Sequence, residues 1–240
     1  MRTIGLVGGM SAESTRLYYD AMNGEVRRRL GGLHSVQVII YSVDFAPIAQ
    51  LQSAGRWDEA GRVLADAAMA LQRAGADCIG LATNTMHKVA DAVVAAIDIP
   101  FLHIADATAD ALIDAGKRQP YLLATRFTME QEFYKGLLAA RGLGVTVPDD
   151  RQREAVHRVI YEELCRGTIA PASRAQFEAL THDAAGRGAD SVILGCTEVG
   201  MLLCADNSAL PVFDTTLIHA RALVDFALAD EMRAEIQGEA

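Results

Sequence analysis

The stretch Gly75-Ala76-Asp77-Cys78-Ile79-Gly80-Leu81-Ala82-Thr83-Asn84-Thr85 returns later in the chain as Gly188-Ala189-Asp190-Ser191-Val192-Ile193-Leu194-Gly195-Cys196-Thr197-Glu198. In both, a glycine and an aspartate precede an apolar run of strand length, and a small polar residue opens the turn after it. The interval from Gly75 to Gly188 equals that from Thr83 to Cys196. Thr83 and Cys196 therefore occupy equivalent positions in two copies of one strand–turn unit. Two such groups, one from each copy, can work on a single proton from opposite sides.

The surrounding pattern extends the repeat. A strand at residues 3–7 leads into the turn Gly8-Gly9-Met10-Ser11, with Ser11 as the expected cap of a helix running to about Leu30. A strand at 37–41 follows, then helices over 48–52 and 57–73 with apolar residues at 60, 63, 64, 67, 68 and 71. Gly75 closes the second of these. After the Thr83 turn the pattern reads as a helix over 84–97 and a short strand at 99–104. The second half restarts with a helix at 107–115, a strand at 120–124 and the turn Thr125-Arg126-Phe127-Thr128-Met129, then a helix to about Arg141. A weak strand at 144–148 and helices at 151–166 and 173–187 precede the Cys196 strand and turn. A strand at 210–214 matches the earlier Ile99-Pro100 segment, and a final helix covers 216–232.

Strands alternating with helices argue for an α/β chain with parallel sheets. The repeat argues for two similar doubly wound parallel-sheet domains related by a pseudo-twofold axis. The expected boundaries are residues 1–102 plus 212–240 for the first domain and 103–211 for the second, with the active site in the cleft between them. Ligands of such sheets bind beyond the carboxyl ends of the strands. Four turns lie there: those of Gly8-Gly9-Met10, Thr83, Thr125 and Cys196.

Composition narrows the function classes. A net charge of −9 argues against a general nucleic-acid surface. Four cysteines (Cys78, Cys165, Cys196, Cys204) in 240 residues form no disulfide framework and have no zinc or redox spacing, so no metal is expected. Cys78, Cys165 and Cys204 read as packing residues. No apolar run approaches membrane-spanning length, and the expectation is a cytoplasmic protein with no membrane partner. The only lysines, Lys88, Lys117 and Lys135, fall away from the strand-end turns, which gives no place for pyridoxal phosphate.

Gly8-Gly9-Met10-Ser11, Thr83-Asn84-Thr85-Met86-His87, Thr125-Arg126-Phe127-Thr128-Met129 and Gly195-Cys196-Thr197-Glu198 together resemble the cofactor-independent aspartate/glutamate racemase family, over nearly the whole chain and in order. The Gly-Cys-Thr-Glu form resembles its aspartate racemase branch. The resemblance implies two α/β domains, a homodimer, no cofactor, and an acidic amino acid held between two catalytic residues. Those residues fall on Thr83 and Cys196, with threonine where the family's first cysteine stands. The same resemblance gives Met10, Gln52, Asn84, Thr85, Thr125, Arg166, Thr197 and Glu198 as substrate-binding positions. Asn84, Thr85 and Thr197, at two expected helix N-termini, would supply hydrogen-bond donors to the α-carboxylate as it gains enolate character. Glu198 would orient the amino group or tune Cys196.

The Thr83 substitution shapes the expected chemistry. A thiol titrates near ~8.5 and a neighbouring positive field lowers it further, whereas an alcohol at the same place does not ionise readily. Cys196 then serves as the base that removes the α-proton of the L-isomer, and Thr83 as a donor or relay. Two rival readings use the same residues: a single-cysteine decarboxylase or isomerase of a dicarboxylate, and a dicarboxylate-binding module with little catalysis.

Overall fold

A computed structural model describes residues 1–238 of the chain, and the side chains of 1–230. The chain divides into two compact units. One comprises Met1–Ala82, Val89–His103 and His219–Ala240; the other comprises Thr83–Lys88 and Ile104–Ile218.

The first unit is built on a parallel sheet of β1 (Ile4–Gly8), β2 (Val38–Ser42) and β3 (Cys78–Leu81), in the order β2-β1-β3. Phe101 adds a single parallel bridge to Ile79 on the outer side of β3. β1 is buried along its full length, as a central parallel strand covered on both faces must be. Its helices include α1 (Ala12–Leu30), α2 (Phe45–Ser53), α3 (Trp57–Arg73) and α4 (Ala90–Val94). Ser11 caps α1 as the sequence implies, its hydroxyl accepting the Ser14 N–H at 3.1 Å.

The second unit repeats the plan. β4 (Pro120–Ala124), β5 (Ser191–Gly195) and β6 (Val212–Asp214) pair in parallel in the order β4-β5-β6, and Thr146 bridges to Tyr121 on the outer side of β4. Helices α5 (Ile104–Asp114), α6 (Arg126–Glu130), α7 (Glu132–Ala140), α8 (Asp150–Glu162) and α9 (Pro171–Gly186) belong to it. α10 (Thr215–Gly238) starts in the second unit and continues into the first.

The repeated residues do the same work in each sheet. Gly75 and Gly188, with φ of 98° and 94°, end α3 and α9 in the left-handed region that glycine tolerates. Asp77 then accepts the Thr3 N–H, and Asp190 accepts the N–H groups of Arg118 and Gln119. Each aspartate thus fixes the start of the neighbouring strand. At the outer edges, Ile79 N–H donates to Pro100 and Val192 N–H donates to Pro211, at 2.8 and 2.9 Å. Each unit also has its own apolar core: Ile4, Leu6, Tyr18 and Leu223 in the first, Leu122, Tyr134, Phe177 and Ile193 in the second.

Several elements differ from the sequence expectation. The helix expected over 84–97 is a 3-10 turn, Thr85–Val89, followed by the five-residue α4. The segment after Cys196 is likewise a 3-10 turn, Thr197–Met201. The strands expected at 99–104 and 144–148 reduce to the single bridges at Phe101 and Thr146, and Ile104 already begins α5. α8 stops at Glu162, with Leu164–Arg166 in a separate 3-10 turn closed by Gly167 at φ 74°. No helix among the described residues is long and apolar enough to cross a membrane.

Candidate active site

Cys196 leaves β5 in an extended conformation (φ −147°, ψ 130°), and its carbonyl accepts the Val199 N–H at 3.0 Å. Gly195 before it has no room for a side chain: a Cβ there would lie 2.7 Å from Leu122 Cδ1 and 3.0 Å from Ala124 Cβ. The tight turn folds Glu198 back towards the cysteine. Cys196 Sγ donates to Glu198 Oε2 at 3.0 Å, and Thr197 Oγ1 donates to the same oxygen. All three residues are buried. Burial pushes the Cys196 thiol well above its usual range, and the Glu198 carboxylate and Cys165 push it further the same way. The resting sulfur is therefore a protonated thiol with its hydrogen aimed at a carboxylate.

Thr83, Asn84 and Thr85, all buried, form the corresponding turn after β3. Two side chains hold it. Ile104 N–H donates to His87 Nε2 at 3.2 Å, so this nitrogen carries no proton. Nδ1 must then carry one, and it donates to the Thr83 carbonyl at 2.7 Å. His87 is a neutral strut for the Thr83 backbone; a ring with both nitrogens protonated could not accept from Ile104. The second anchor is Asn84. Thr215 Oγ1 gives its one proton to the Leu194 carbonyl at 2.8 Å, so it must accept from Asn84, whose Nδ2 lies 3.0 Å away. This assigns Asn84 Oδ1 to the other side, where it is buried without a partner. The chain Asn84–Thr215–Leu194 links the Thr83 turn to β5, the strand that leads into Cys196.

Thr85 and Thr125 hydroxyls are 2.9 Å apart, and Thr128 lies within 3.4 Å of Thr85 and 3.2 Å of Thr125. Each hydroxyl donates one proton and accepts two, so the group can turn a donor outward by reorienting alone.

Of the ten positions expected from sequence, Thr83, Asn84, Thr85, Thr125, Arg166, Cys196, Thr197 and Glu198 belong to the second unit, and Met10 and Gln52 to the first. Met10 is buried in the turn after β1, and Gln52 is buried within α2. Arg166 is exposed at the end of its 3-10 turn and pairs with no carboxylate among the described residues. Because both turns are short 3-10 segments, Asn84, Thr85 and Thr197 do not stand at the start of a long helix. The dipole expected there gives way to side-chain hydrogen bonds. Lys88 lies inside the 3-10 turn after β3 and donates to Gln131. Cys78 is buried in the core, as expected, but Cys204 is exposed.

Thr128 and Thr215 are participants that sequence reading passed over. Thr128 stands one turn beyond Thr125, a spacing that places two hydroxyls on one face. Thr215 carries no such signal, because its role depends on how α10 begins against β5.

The Asp/Glu/hydantoin racemase family model matches residues 7–223. A candidate Asp/Glu racemase of known crystal structure from Yersinia pestis is 50% identical, with a TM-score of 0.89 over 95% of this chain and 100% of that one. An aspartate racemase homologue from Pyrococcus horikoshii OT3 is 35% identical, with a TM-score of 0.83 over 95% of this chain and 99% of that one. The broad-specificity amino-acid racemase RacX of Bacillus subtilis strain 168 is 25% identical over 229 residues, which span 94% of this chain and 98% of the relative. With the family pattern running from β1 to α10 and the paired turns in their places, the chain belongs to the Asp/Glu/hydantoin racemase family and is an amino-acid racemase.

Proposed function

We propose that the substrate is an acidic amino acid, aspartate or glutamate, and that the enzyme favours the L-isomer. In this reading Cys196 and Thr83 act on opposite faces of Cα, and no cofactor takes part. The observation that carries the proposal is the buried Cys196 thiol donating to Glu198 at the end of β5.

Cys196 passes its proton to Glu198, and the thiolate takes the proton from Cα of the L-isomer. The electron pair left on Cα spreads into the α-carboxylate. The Thr83 hydroxyl protonates the opposite face and regains a proton from water, and the hydroxide left behind takes the proton held on Glu198, which restores the carboxylate. Hydroxyl and amide donors of Thr85, Thr125 and Asn84 stabilise the enolate-like charge, while Thr197 keeps its one proton on Glu198. The unpartnered Asn84 Oδ1 accepts from the substrate ammonium. The exposed Arg166 guanidinium is the cation for the distal carboxylate.

The asymmetry of the pair sets the preference. A thiol reaches its anion far more readily than an alcohol, so removal of the proton from the Cys196 side is the easier direction. Polarimetry or chiral chromatography of L- and D-aspartate and L- and D-glutamate tests this. The expected result is conversion of at least one L-isomer with a higher kcat at saturation than that of its D-isomer, the two kcat/KM values being equal because the isomers have equal free energy. No conversion of any of the four would overturn the proposal.

A further inference from the structure

At the opposite, amino end of the second sheet, Gln119, Tyr121, Thr146, Val147, Ala184 and Arg187 line a cavity of about 250 Å³. Tyr121 is 1% exposed, and its hydroxyl is buried with no hydrogen-bond partner. A buried phenol left without a partner costs free energy, and such groups are rare in native proteins. Burial pushes this hydroxyl up to about 12, opposed by the Arg187 guanidinium beside it. Arg187 is thus near enough to act on the phenol, though the two form no hydrogen bond of ordinary geometry. Its ion pair with Asp183, at 2.8 Å, is about half exposed on both sides. A pair this exposed is weak, so its donors are readily redirected.

The repeat supplies an internal comparison. Gly5 of β1 pairs with Ile79 as Tyr121 of β4 pairs with Val192, so Gly5 and Tyr121 are equivalent. In the first unit the place is filled: a Cβ on Gly5 would lie 2.8 Å from both Ala76 Cβ and Ile79 Cδ1. The second unit has a cavity there, lined by Tyr121 and Arg187 together with the apolar side chains of Val147 and Ala184.

We propose that this cavity is a second ligand site, for a small monocarboxylic acid with a short apolar body. The carboxylate takes the Tyr121 hydroxyl and the Arg187 guanidinium as donors, and the alkyl part lies against Val147 and Ala184. The site stands apart from the proton-transfer chemistry and does not depend on the substrate assigned to it.

Butyrate titrated into the isotope-labelled full-length protein, followed by the amide NMR signals of Gly188 and Ala189, tests the site. These residues also line the cavity. Saturable shifts are expected at both, and they persist in Cys196→Ser. In Tyr121→Phe and Arg187→Gln, each with an otherwise native spectrum, the affinity falls about tenfold or more. n-Butylamine, equal in size but cationic, gives no such shifts. The proposal fails if butyrate moves no signal at Gly188 and Ala189, as expected if the cavity takes up water only. It also fails if the shifts are confined to Thr83 and Cys196, or if Tyr121→Phe binds butyrate as tightly as the unaltered protein.

Discussion

Cys196 Sγ donates its proton to Glu198 Oε2 across 3.0 Å, in a turn where the two residues are 9% and 4% exposed. A carboxylate this close, with little solvent between, penalises a negative sulfur and at the same time offers a place for its proton. Glu198 therefore adds to the burial that holds the thiol protonated, and it is the group to which the proton passes when thiolate forms.

Replacement of Glu198 by glutamine removes the negative charge and leaves the shape. The Cys196 thiol should ionise at lower pH, because a cause of its upward shift is gone. The pH midpoint of Cys196 alkylation by iodoacetamide, read by mass spectrometry of the Cys196 peptide, is expected to move down. An unchanged or higher midpoint would show that Glu198 does not govern the thiol. Racemisation should fall in the same variant, since the acceptor for the thiol proton is lost.

Thr215→Val deletes the middle of the Asn84–Thr215–Leu194 chain. It leaves an amide and a carbonyl unsatisfied inside the protein, which costs about 1–3 kcal/mol. Urea denaturation should show a loss of that size, together with reduced turnover, because the Thr83 turn loses its tie to β5.

Gly195→Ala places a methyl group against Leu122 and Ala124. Overpacking of this kind costs about 1–3 kcal/mol and moves the residue that follows. A lowered melting temperature and a larger fractional loss in kcat than rise in KM are expected, since the residue displaced is Cys196.

Acid should weaken the protein through His219. Its Nε2–H donates to the Leu102 carbonyl and its Nδ1 accepts from Tyr18, each at 2.8 Å, so the folded ring is neutral. Burial holds its pKa down, to about 4, against an ordinary value near ~6.5. Below about 6.5 the unfolded chain takes up a proton that the folded chain refuses until pH 4 or so. The stability from this site is complete above that upper value and is lost as pH falls through the window. It amounts to about 3 kcal/mol. Urea midpoints measured from pH 7 to pH 4 should decline, and His219→Gln should flatten the decline.

The parts legible in the sequence were those written twice. Gly75 and Gly188 fix a helix end by backbone conformation, Asp77 and Asp190 fix a strand start by hydrogen bonding, and the apolar runs between them and the turns are buried strands. Each is a local rule, and its second occurrence identifies it. The turns themselves were less legible. A 3-10 segment of five residues, such as Thr85–Val89, is too short to show a period, so it merged with the helix after it. Thr215 was invisible because its hydroxyl matters only once α10 starts beside Leu194. The neutral state of His87 also depends on a distant donor, Ile104, and no spacing rule announces it.

The central claim is that the sulfur of Cys196 takes the α-proton. Its most direct test is proton NMR of L-aspartate and L-glutamate in deuterated buffer with the unaltered enzyme and with Cys196→Ala. The account predicts loss of the Cα–H signal with the unaltered enzyme for at least one of the two, and no loss above background with Cys196→Ala in a folded protein. Exchange at an undiminished rate in Cys196→Ala would contradict it.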